Sequence, residues 1–313
     1  MEFLIVSVLN GVVHGLLLFM VSAGLTLIFG MMGVLNFAHA WFYMLGAYVG
    51  FTLTRTAGFW VGLIAAPLIV GGCGALVERY MLRRVHKYGH THELLLTFGL
   101  AFIIEELIKL FYGDFPVNYA MPAYMKFAAF TLYETNYPFY RLFMGIVALA
   151  IFAALYVLLT RTRVGIIVRA ATLKPVMVEA LGHNLPVVFM GVFAGGAALA
   201  GLAGAVAGAF FPTGPNMAVD FGTLVFVVVV VGGLGSLEGA LVASLMIGLF
   251  ISFSVGLNWS LADLFALVGL GGWAREAGGL LTLQLSTVAA SMPFLLMLLV
   301  LLIRPAGLFG DRQ

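Results

Sequence analysis

Long apolar runs alternate with short polar or glycine-rich joints along nearly the whole chain. A helix that crosses a bilayer needs about 20 mainly apolar residues, and its backbone hydrogen bonds must be satisfied within the helix. The pattern therefore predicts an all-α, polytopic transmembrane helical bundle of about eight to nine spans. We expect a single transmembrane domain over residues 1–313, and the candidate spans are Phe3–Phe29, Phe37–Leu53, Gly58–Val77, Leu94–Tyr112, Tyr140–Leu159, Pro186–Phe211, Phe221–Val231, Ala240–Val255 and Leu281–Ile303.

Two glycine-rich breaks interrupt this pattern, one in each half of the chain. The first is Gly30–His39, and the second is Gly232–Gly239, which follows a run that would form a helix only about 16 Å long. Glycine-interrupted or re-entrant helices in both halves are typical of a transport pathway. The candidate pathway residues are Asn36, His39, Gly233, Gly235 and Ser236.

Ordinary tight turns are the alternative interpretation of both breaks. In that case Asn36 would cap a helix that begins at Phe37, and Ser236 would have the same local role at the second break.

Composition and charge support a membrane location. The chain is 63% hydrophobic and 9% charged, whereas a soluble domain is usually about one quarter charged. The net charge of +2 does not suggest a nucleic-acid partner. Basic residues concentrate on one side of the predicted bundle, which the positive-inside rule assigns to the cytoplasm. This predicts a periplasmic N-terminus and a cytoplasmic C-terminus, and the basic residues on the cytoplasmic side are Arg79, Arg83, Arg84, Lys87, Arg161, Arg163, Arg169, Lys174, Arg304 and Arg312.

The cytoplasmic segment 161–184 is long for a connection between two spans. Pro175 suits the first turn of a helix, and Gly182 suits the residue just past its end, so a helix of about 10 Å is predicted between them. Asn184 is a good N-cap for the next span. Met177 and Leu181 give the short helix apolar contact points, as a docking element requires.

Several motifs, in order and spacing, resemble the LivH-type branched-chain amino acid permease family of ABC importers. The resemblance covers nearly the whole chain, and its motifs are Gly24-Leu-Thr-Leu-Ile-Phe-Gly30, Asn36-Phe-Ala-His-Ala40, Met44-Leu-Gly-Ala-Tyr48, Leu94-Leu-Leu-Thr-Phe-Gly-Leu100, Arg161-Thr-Arg-Val-Gly165, Arg169-Ala-Ala171, Val230-Val-Gly-Gly-Leu-Gly-Ser236 and Arg304-Pro-Ala-Gly-Leu-Phe-Gly310. The family usually has glycine where Ala40 stands and commonly a polar residue at Ala306. These departures leave the choice of cargo open.

This resemblance implies a permease subunit in the bacterial inner membrane that moves small amino-acid-like solutes. The implied partners are a second homologous permease subunit, two ATP-binding subunits and a periplasmic substrate-binding protein, with no cofactor and no metal. The chain has no Gly-x-x-x-x-Gly-Lys-Ser/Thr phosphate loop, so it is not expected to be an enzyme that hydrolyses ATP. By the resemblance, the residues that couple to the ATPase are Arg169, Ala170, Ala171, Pro175, Met177, Glu179, Ala180, Leu181 and Gly182.

Charged residues inside the apolar runs offer a second interpretation. Glu105 could carry a proton in a stand-alone secondary transporter or channel, because a charge within a span is costly and marks a functional candidate. Lys109 stands four residues later and can pair with Glu105 on a helix, which favours a structural role. His86, His90 and His92 lack the spacing of a known metal site and are expected to form a solvated loop.

Two long stretches on the opposite side, 113–136 and 256–279, are expected to receive the binding protein. Both are longer than a usual helix connection of about two to eight residues. They carry aromatic side chains of the kind enriched at partner surfaces, namely Tyr119, Tyr124, Tyr133, Trp259 and Trp273.

Overall fold

The computed structural model describes residues 2–132, 135–257, 259–267 and 269–310, and Tyr133 and Arg312 lie outside these ranges. The described chain is mostly helical and carries one short antiparallel hairpin, β1 (Ala128–Leu132) and β2 (Thr135–Pro138). Its α-helices are α1 (Glu2–Met32), α2 (His39–Ala57), α3 (Phe59–Val77), α4 (Arg83–Val85), α5 (His90–Tyr112), α6 (Phe139–Arg161), α7 (Arg163–Leu173), α8 (Pro175–Ala180), α9 (Leu185–Gly208), α10 (Met217–Gly232), α11 (Leu237–Gly256), α12 (Leu261–Leu267), α13 (Gly271–Ala277) and α14 (Met292–Ile303).

Helices α1 and α9 form the centre of the bundle. Helix α1 packs against α11, α9, α6 and α10, while α9 also packs against α2 and α3. The hydrophobic effect contributes little to helix association in lipid. Small residues that allow close backbone contact therefore stabilise this packing. Gly204 is an example, because a Cβ there would lie 1.9 Å from the carbonyl oxygen of Tyr43.

The predicted spans correspond to helices whose bounds mostly differ from the prediction by one to four residues. Five helices are long and apolar enough to cross a membrane, and they lie in Phe3–Met32, Phe59–Tyr88, Phe139–Arg161, Leu185–Gly208 and Leu237–Gly256. The predicted Phe221–Val231 segment was too short, because the helix begins at Met217. The predicted Leu281–Ile303 segment was too long, because its regular helix starts only at Met292 with Pro293 in the first turn. The count of eight to nine spans stays a prediction.

The first break, defined here as residues 33–38, turns back into the bundle. The His39 ring reaches the carbonyl oxygen of Val21, 2.9 Å away. Val21 lies eleven residues before Met32, the last residue of α1, which corresponds to about 16 Å of helix. The chain therefore leaves α1 at one end of the bundle and starts α2 well inside it.

The second break, residues 233–236, stays at the end of the bundle and packs against α1. A Cβ at Gly30 would lie 3.0 Å from both the Cα and the carbonyl oxygen of Gly235, so the two glycine-rich regions are in direct contact. The C-terminal segment also covers this break, because the backbone N–H groups of Leu308 and Phe309 donate to Val231 and Gly232 at 2.8 and 3.0 Å.

The stretches expected to be connecting loops have structure of their own. Residues 113–136 contain most of the β1–β2 hairpin, which corrects the all-α expectation locally, and 256–279 contain α12 and α13. Asp263 of α12 accepts hydrogen bonds from Ser260 and from Arg275 of α13, and these interactions lower the pKa of the Asp263 carboxyl. The Asp263–Arg275 ion pair thus joins the two short helices.

Candidate functional site

The pathway cavity, of about 370 Å³, lies where α2 begins inside the bundle. Helices α1, α2, α10 and α14 and the first break surround it. Among its lining residues are Leu25, Asn36, His39, Phe226, Phe294 and Met297. The walls are almost entirely apolar, and the volume is within the usual range of small-molecule sites, about 300–1,000 Å³. Asn36 and His39, two of the predicted pathway residues, are thus brought together in one cavity.

Asn36 does not cap α2, so this alternative interpretation is wrong. The helix begins at His39, its N-cap is Ala38, and no side chain caps it. The Asn36 side chain is only 2% exposed, yet neither amide atom has a hydrogen-bond partner among the described residues. An unsatisfied buried polar group costs about 1–3 kcal/mol, so this amide is a candidate to bind something that is absent from the free chain.

His39 is held in one orientation by α1. Its Nε2 lies 2.9 Å from the carbonyl oxygen of Val21, and its Cε1 carbon contacts Gly24, which has no side chain to exclude the ring. Because a carbonyl only accepts, Nε2 carries the proton and Nδ1 of the neutral ring is left as an acceptor. Nδ1 is buried and finds no donor within the described ranges.

Other unsatisfied polar atoms lie on the same two helices. The hydroxyl groups of Thr26, Tyr43 and Tyr48 are buried without a partner in the part of the chain that the structure describes. Several such groups in one region are unusual, since most buried polar atoms in proteins are hydrogen-bonded. None of these three residues lines the pathway cavity, whereas Asn36 and His39 do.

Gly233, Gly235 and Ser236 do not line the pathway cavity. Ser236 is the N-cap of α11, and its hydroxyl accepts from the Gly239 amide at 3.0 Å. Gly235 has φ +87° and Gly233 has φ +102°, backbone angles that favour glycine. The tight-turn interpretation therefore describes the local geometry of the second break.

The segment 161–184 contains two helices instead of the single one expected. The Pro175 N1 position, the Gly182 turn with φ +85° and the Asn184 cap are confirmed. Helix α7, which precedes them, was not predicted. Of the predicted coupling residues, Ala171 is buried and Ala170 is partly buried. The others are exposed: Arg169, Pro175, Met177, Glu179, Ala180, Leu181 and Gly182.

A small second core anchors these two helices to the bundle. Val178 is 3% exposed and packs in one cluster with Val168 and Ala171, against Met31 of α1 and Leu185 of α9. The outer side of the pair carries apolar residues that stay in contact with solvent, with Met177 60% and Leu181 78% exposed. The two helices are therefore fixed on one side and free on the other.

An ion pair that sequence reasoning missed lies beside this segment. Arg83 donates to both carboxylate oxygens of the buried Glu78, at 3.1 and 2.6 Å, and also to the carbonyl oxygen of Pro186 at 2.7 Å. The chain forms a π-helical turn at Glu78–Leu82, which brings residues five apart together. Arg83 thereby connects the end of the α3 region to the start of α9.

The charged residues of α5 are paired. Lys109 Nζ lies 2.7 Å from Glu105 and 3.0 Å from Glu106, which confirms the expected Glu105–Lys109 pair. Glu105 also accepts from the indole of Trp41 at 3.1 Å. The loop expected at His86, His90 and His92 is instead mostly helical, because α5 already begins at His90, and His86 and His90 both contact the buried carboxylate of Glu93.

A family model described as the permease component of branched-chain amino acid transport systems matches residues 7–303. The high-affinity branched-chain amino acid transport system permease protein LivH of Escherichia coli K12 is 26% identical over 96% of this chain and 94% of its own length. BraD of Pseudomonas aeruginosa, described in the same words, is 25% identical over 97% and 95%.

Two further comparisons are more distant. A probable LivH of Methanocaldococcus jannaschii is 26% identical over 77% of this chain and 78% of its own. Among solved structures, PsaBC from Streptococcus pneumoniae in complex with Fab aligns with a TM-score of 0.48 at 13% identity, covering 96% of this chain and 92% of its own. That structural likeness is too weak to carry an argument.

Proposed function

Because this chain belongs to the family of permease components of branched-chain amino acid transport systems, we propose that it is a permease subunit of a bacterial ABC importer. It moves small amino-acid-like solutes, branched-chain amino acids foremost, across the inner membrane. Separate ATPase subunits supply the energy. A second homologous permease subunit and a periplasmic substrate-binding protein complete the system.

The observation that carries this proposal is the coupling surface, defined as Leu173, Val176, Met177 and Leu181. These four apolar side chains are exposed on α7, α8 and the turn after them. Apolar surface that forms a contiguous patch beside polar residues is typical of a protein contact. The anchored inner side of the pair would transmit a displacement of the surface to α1 and α9, which pack against it. This arrangement suits a separate ATPase that drives the bundle from outside.

The coupling surface is tested by placing a charge in it. We expect Met177→Asp to abolish ATP-driven uptake, because burying an unpaired carboxylate in the contact costs several kcal/mol. Membrane insertion should persist, since Met177 is exposed in the free chain. The measurement is ATPase activity and uptake by the reconstituted complex, with Met177→Leu as the matched variant that keeps the apolar contact. Normal stimulated ATPase activity in the aspartate variant would rule out this docking role.

The pathway cavity supports the solute class. The Asn36 amide beside the start of α2 suits a carboxylate, because its N–H donors have no acceptor among the described residues and a helix N-terminus carries partial positive charge. The apolar walls suit a branched aliphatic side chain. In this proposal Asn36 and His39 contact the solute, and the second permease subunit closes the open side of the cavity.

Charge distribution supports the orientation. Arg83, Arg161 and Lys174 mark the end of the bundle that we assign to the cytoplasm under the positive-inside rule. The N-terminus is then periplasmic and the C-terminus cytoplasmic. The β1–β2 hairpin and helices α12 and α13 lie on the other side, where they would meet the binding protein.

Energy dependence is the test of the function itself. Both permease subunits and the ATPases are reconstituted in proteoliposomes, and the binding protein is added. Solute should be taken up only when ATP is present on the side of the membrane that carries the ATPases. Uptake should survive a proton uncoupler. Uptake that needs no ATP but collapses with the uncoupler would overturn the ABC assignment.

A stand-alone secondary transporter or channel is the alternative. It would use Glu105 as the proton carrier, but the salt bridge to Lys109 and the Trp41 hydrogen bond support a structural role for this carboxylate. We expect Glu105→Gln to assemble and to retain ATP-dependent uptake. Loss of uptake by a normally assembled Glu105→Gln complex would favour the alternative.

A further inference from the structure

A second cavity, the Arg141 cavity, lies at the opposite end of the bundle from the coupling surface. Its volume is about 410 Å³, and it is formed by the first half of α1, the start of α6, the residues just after α9 and the second half of α11. Most of the wall is apolar, with Phe3, Val13, Met144 and Ile251 among the lining residues. None of the proposed pathway residues lines it.

Arg141 is the charged group of this cavity. Its guanidinium donates to the side-chain oxygen of Asn10 on α1. It also lies over two aromatic rings, 5.2 Å from the centre of the Phe210 ring and 5.8 Å from that of Tyr137. Contacts of this kind orient a guanidinium without neutralising its charge.

The charge of Arg141 has no protein counter-ion within the described ranges. The residues that line the cavity include no aspartate or glutamate, and the ion pairs of the described chain do not include Arg141. Asn10 accepts only one of the five guanidinium N–H donors. Arg141 is partly buried, and an anion in the cavity would form charge-assisted hydrogen bonds with its guanidinium against the apolar walls.

We propose that the Arg141 cavity is a binding site for one anionic group carried on a small apolar body. Arg141 holds the anion through the N–H donors that no described residue accepts, and Asn10 fixes the orientation of the guanidinium. The polar side chains of Ser7 and His14 stand beside it, while the remaining walls receive the apolar part of the ligand. The chemistry is that of a branched carboxylate or of the phosphate of an anionic lipid.

Binding is tested with full-length protein in phosphatidylcholine nanodiscs and radiolabelled 4-methylpentanoate, a branched carboxylate, by equilibrium dialysis against empty nanodiscs. We expect saturable binding by the parent protein. Arg141→Gln should weaken the affinity roughly tenfold to a hundredfold, because it removes charge-assisted hydrogen bonds. Arg55→Gln is the matched control, since it removes an exposed arginine at the end of α2 that does not line the cavity.

A second measurement needs no variant and therefore does not depend on folding of Arg141→Gln. The uncharged isostere 4-methylpentanamide should bind the parent protein at least tenfold more weakly than the acid. Arg141→Lys keeps the charge without the planar fork and should give an intermediate affinity for the acid. Equal binding of acid and amide, or equal acid binding by the parent and Arg141→Gln, would overturn the proposal, as would no saturable binding.

The source of the anion is identified by repeating the titration with phosphatidylglycerol in the nanodiscs. A higher Kd for 4-methylpentanoate in these nanodiscs assigns the site to a lipid headgroup, and an unchanged Kd assigns it to a free carboxylate. These measurements use no ATP, ATPase or binding protein. A negative binding result would therefore contradict only the Arg141 site and not the proposed import function. Loss of ATP-dependent uptake would contradict only the import function.

Discussion

The two glycine-rich breaks look alike in sequence and differ in structure. Residues 33–38 carry the chain back into the bundle, and Asn36 remains buried without a partner among the described residues. Residues 233–236 form a closed turn in which Ser236 caps α11 and the C-terminal segment covers the backbone. The first break leaves hydrogen-bonding capacity unused, whereas the second uses it.

This difference separates a candidate site from a structural joint. Unpaired buried polar groups reduce stability, and one that also lines a cavity, as Asn36 does, is a candidate to bind a solute. The glycines of the second break are explained by backbone angle and by the contact with Gly30. Glycine content alone therefore does not identify the pathway. The informative property is whether the neighbouring polar side chains have hydrogen-bond partners.

The largest effect is expected from closing the space at the second break. Gly235→Ala should reduce the free energy of unfolding by about 3 kcal/mol. An alanine is strained at φ +87°, and its Cβ would lie only 2.8 Å from the Gly30 Cα. Gly182→Ala is the matched control, with φ +85° and nothing near the Cβ, and should lose only about 1–2 kcal/mol. Thermal unfolding in detergent measures both, and equal losses would contradict the proposed tight contact.

The first break should show the opposite relation between stability and function. Asn36→Leu replaces an unpaired amide by an apolar side chain of similar shape, so we expect the protein to gain about 1–2 kcal/mol of stability. Uptake should fall by about tenfold through loss of the contact to the solute. Thermal unfolding and reconstituted uptake are measured on the same preparation.

Tyr48→Phe provides the comparison for that variant. The Tyr48 hydroxyl is also buried without a partner in the described chain, but Tyr48 does not line the pathway cavity. It should gain stability and keep full uptake. Parental uptake by Asn36→Leu would remove Asn36 from the pathway.

The smallest effect is expected at the cap of α11. Ser236→Ala should lose about 1 kcal/mol of stability, because the Gly239 amide loses its acceptor. Ser236→Asp, which can still cap, should restore it. Uptake should be proportional to the amount of folded protein in both variants. A loss of uptake in Ser236→Ala that exceeds the loss of folded protein would indicate that the second break is part of the pathway.

Features that depend on neighbours in sequence were determined by the sequence alone. Pro175, Gly182 and Asn184 set the bounds of α8 and the start of α9, and Glu105 pairs with Lys109 one helical turn later. Propensity, capping and i,i+4 spacing act over a few residues, so a single sequence contains the necessary information. The apolar runs likewise determined where most helices lie, since lipid requires such runs.

Tertiary structure alone decided which polar groups are left without a partner. Asn36 would be an ordinary helix cap if α2 began at Phe37, and only the position of the His39 ring against Val21 of α1 shows that it begins deeper in the bundle. The Arg83–Glu78 ion pair depends on a π-helical turn, and the Arg141 cavity forms between α1, α6, α11 and the residues just after α9. The partners of buried polar and charged groups come from residues distant in sequence. A group that lacks such a partner can therefore be recognised only once the helices are packed.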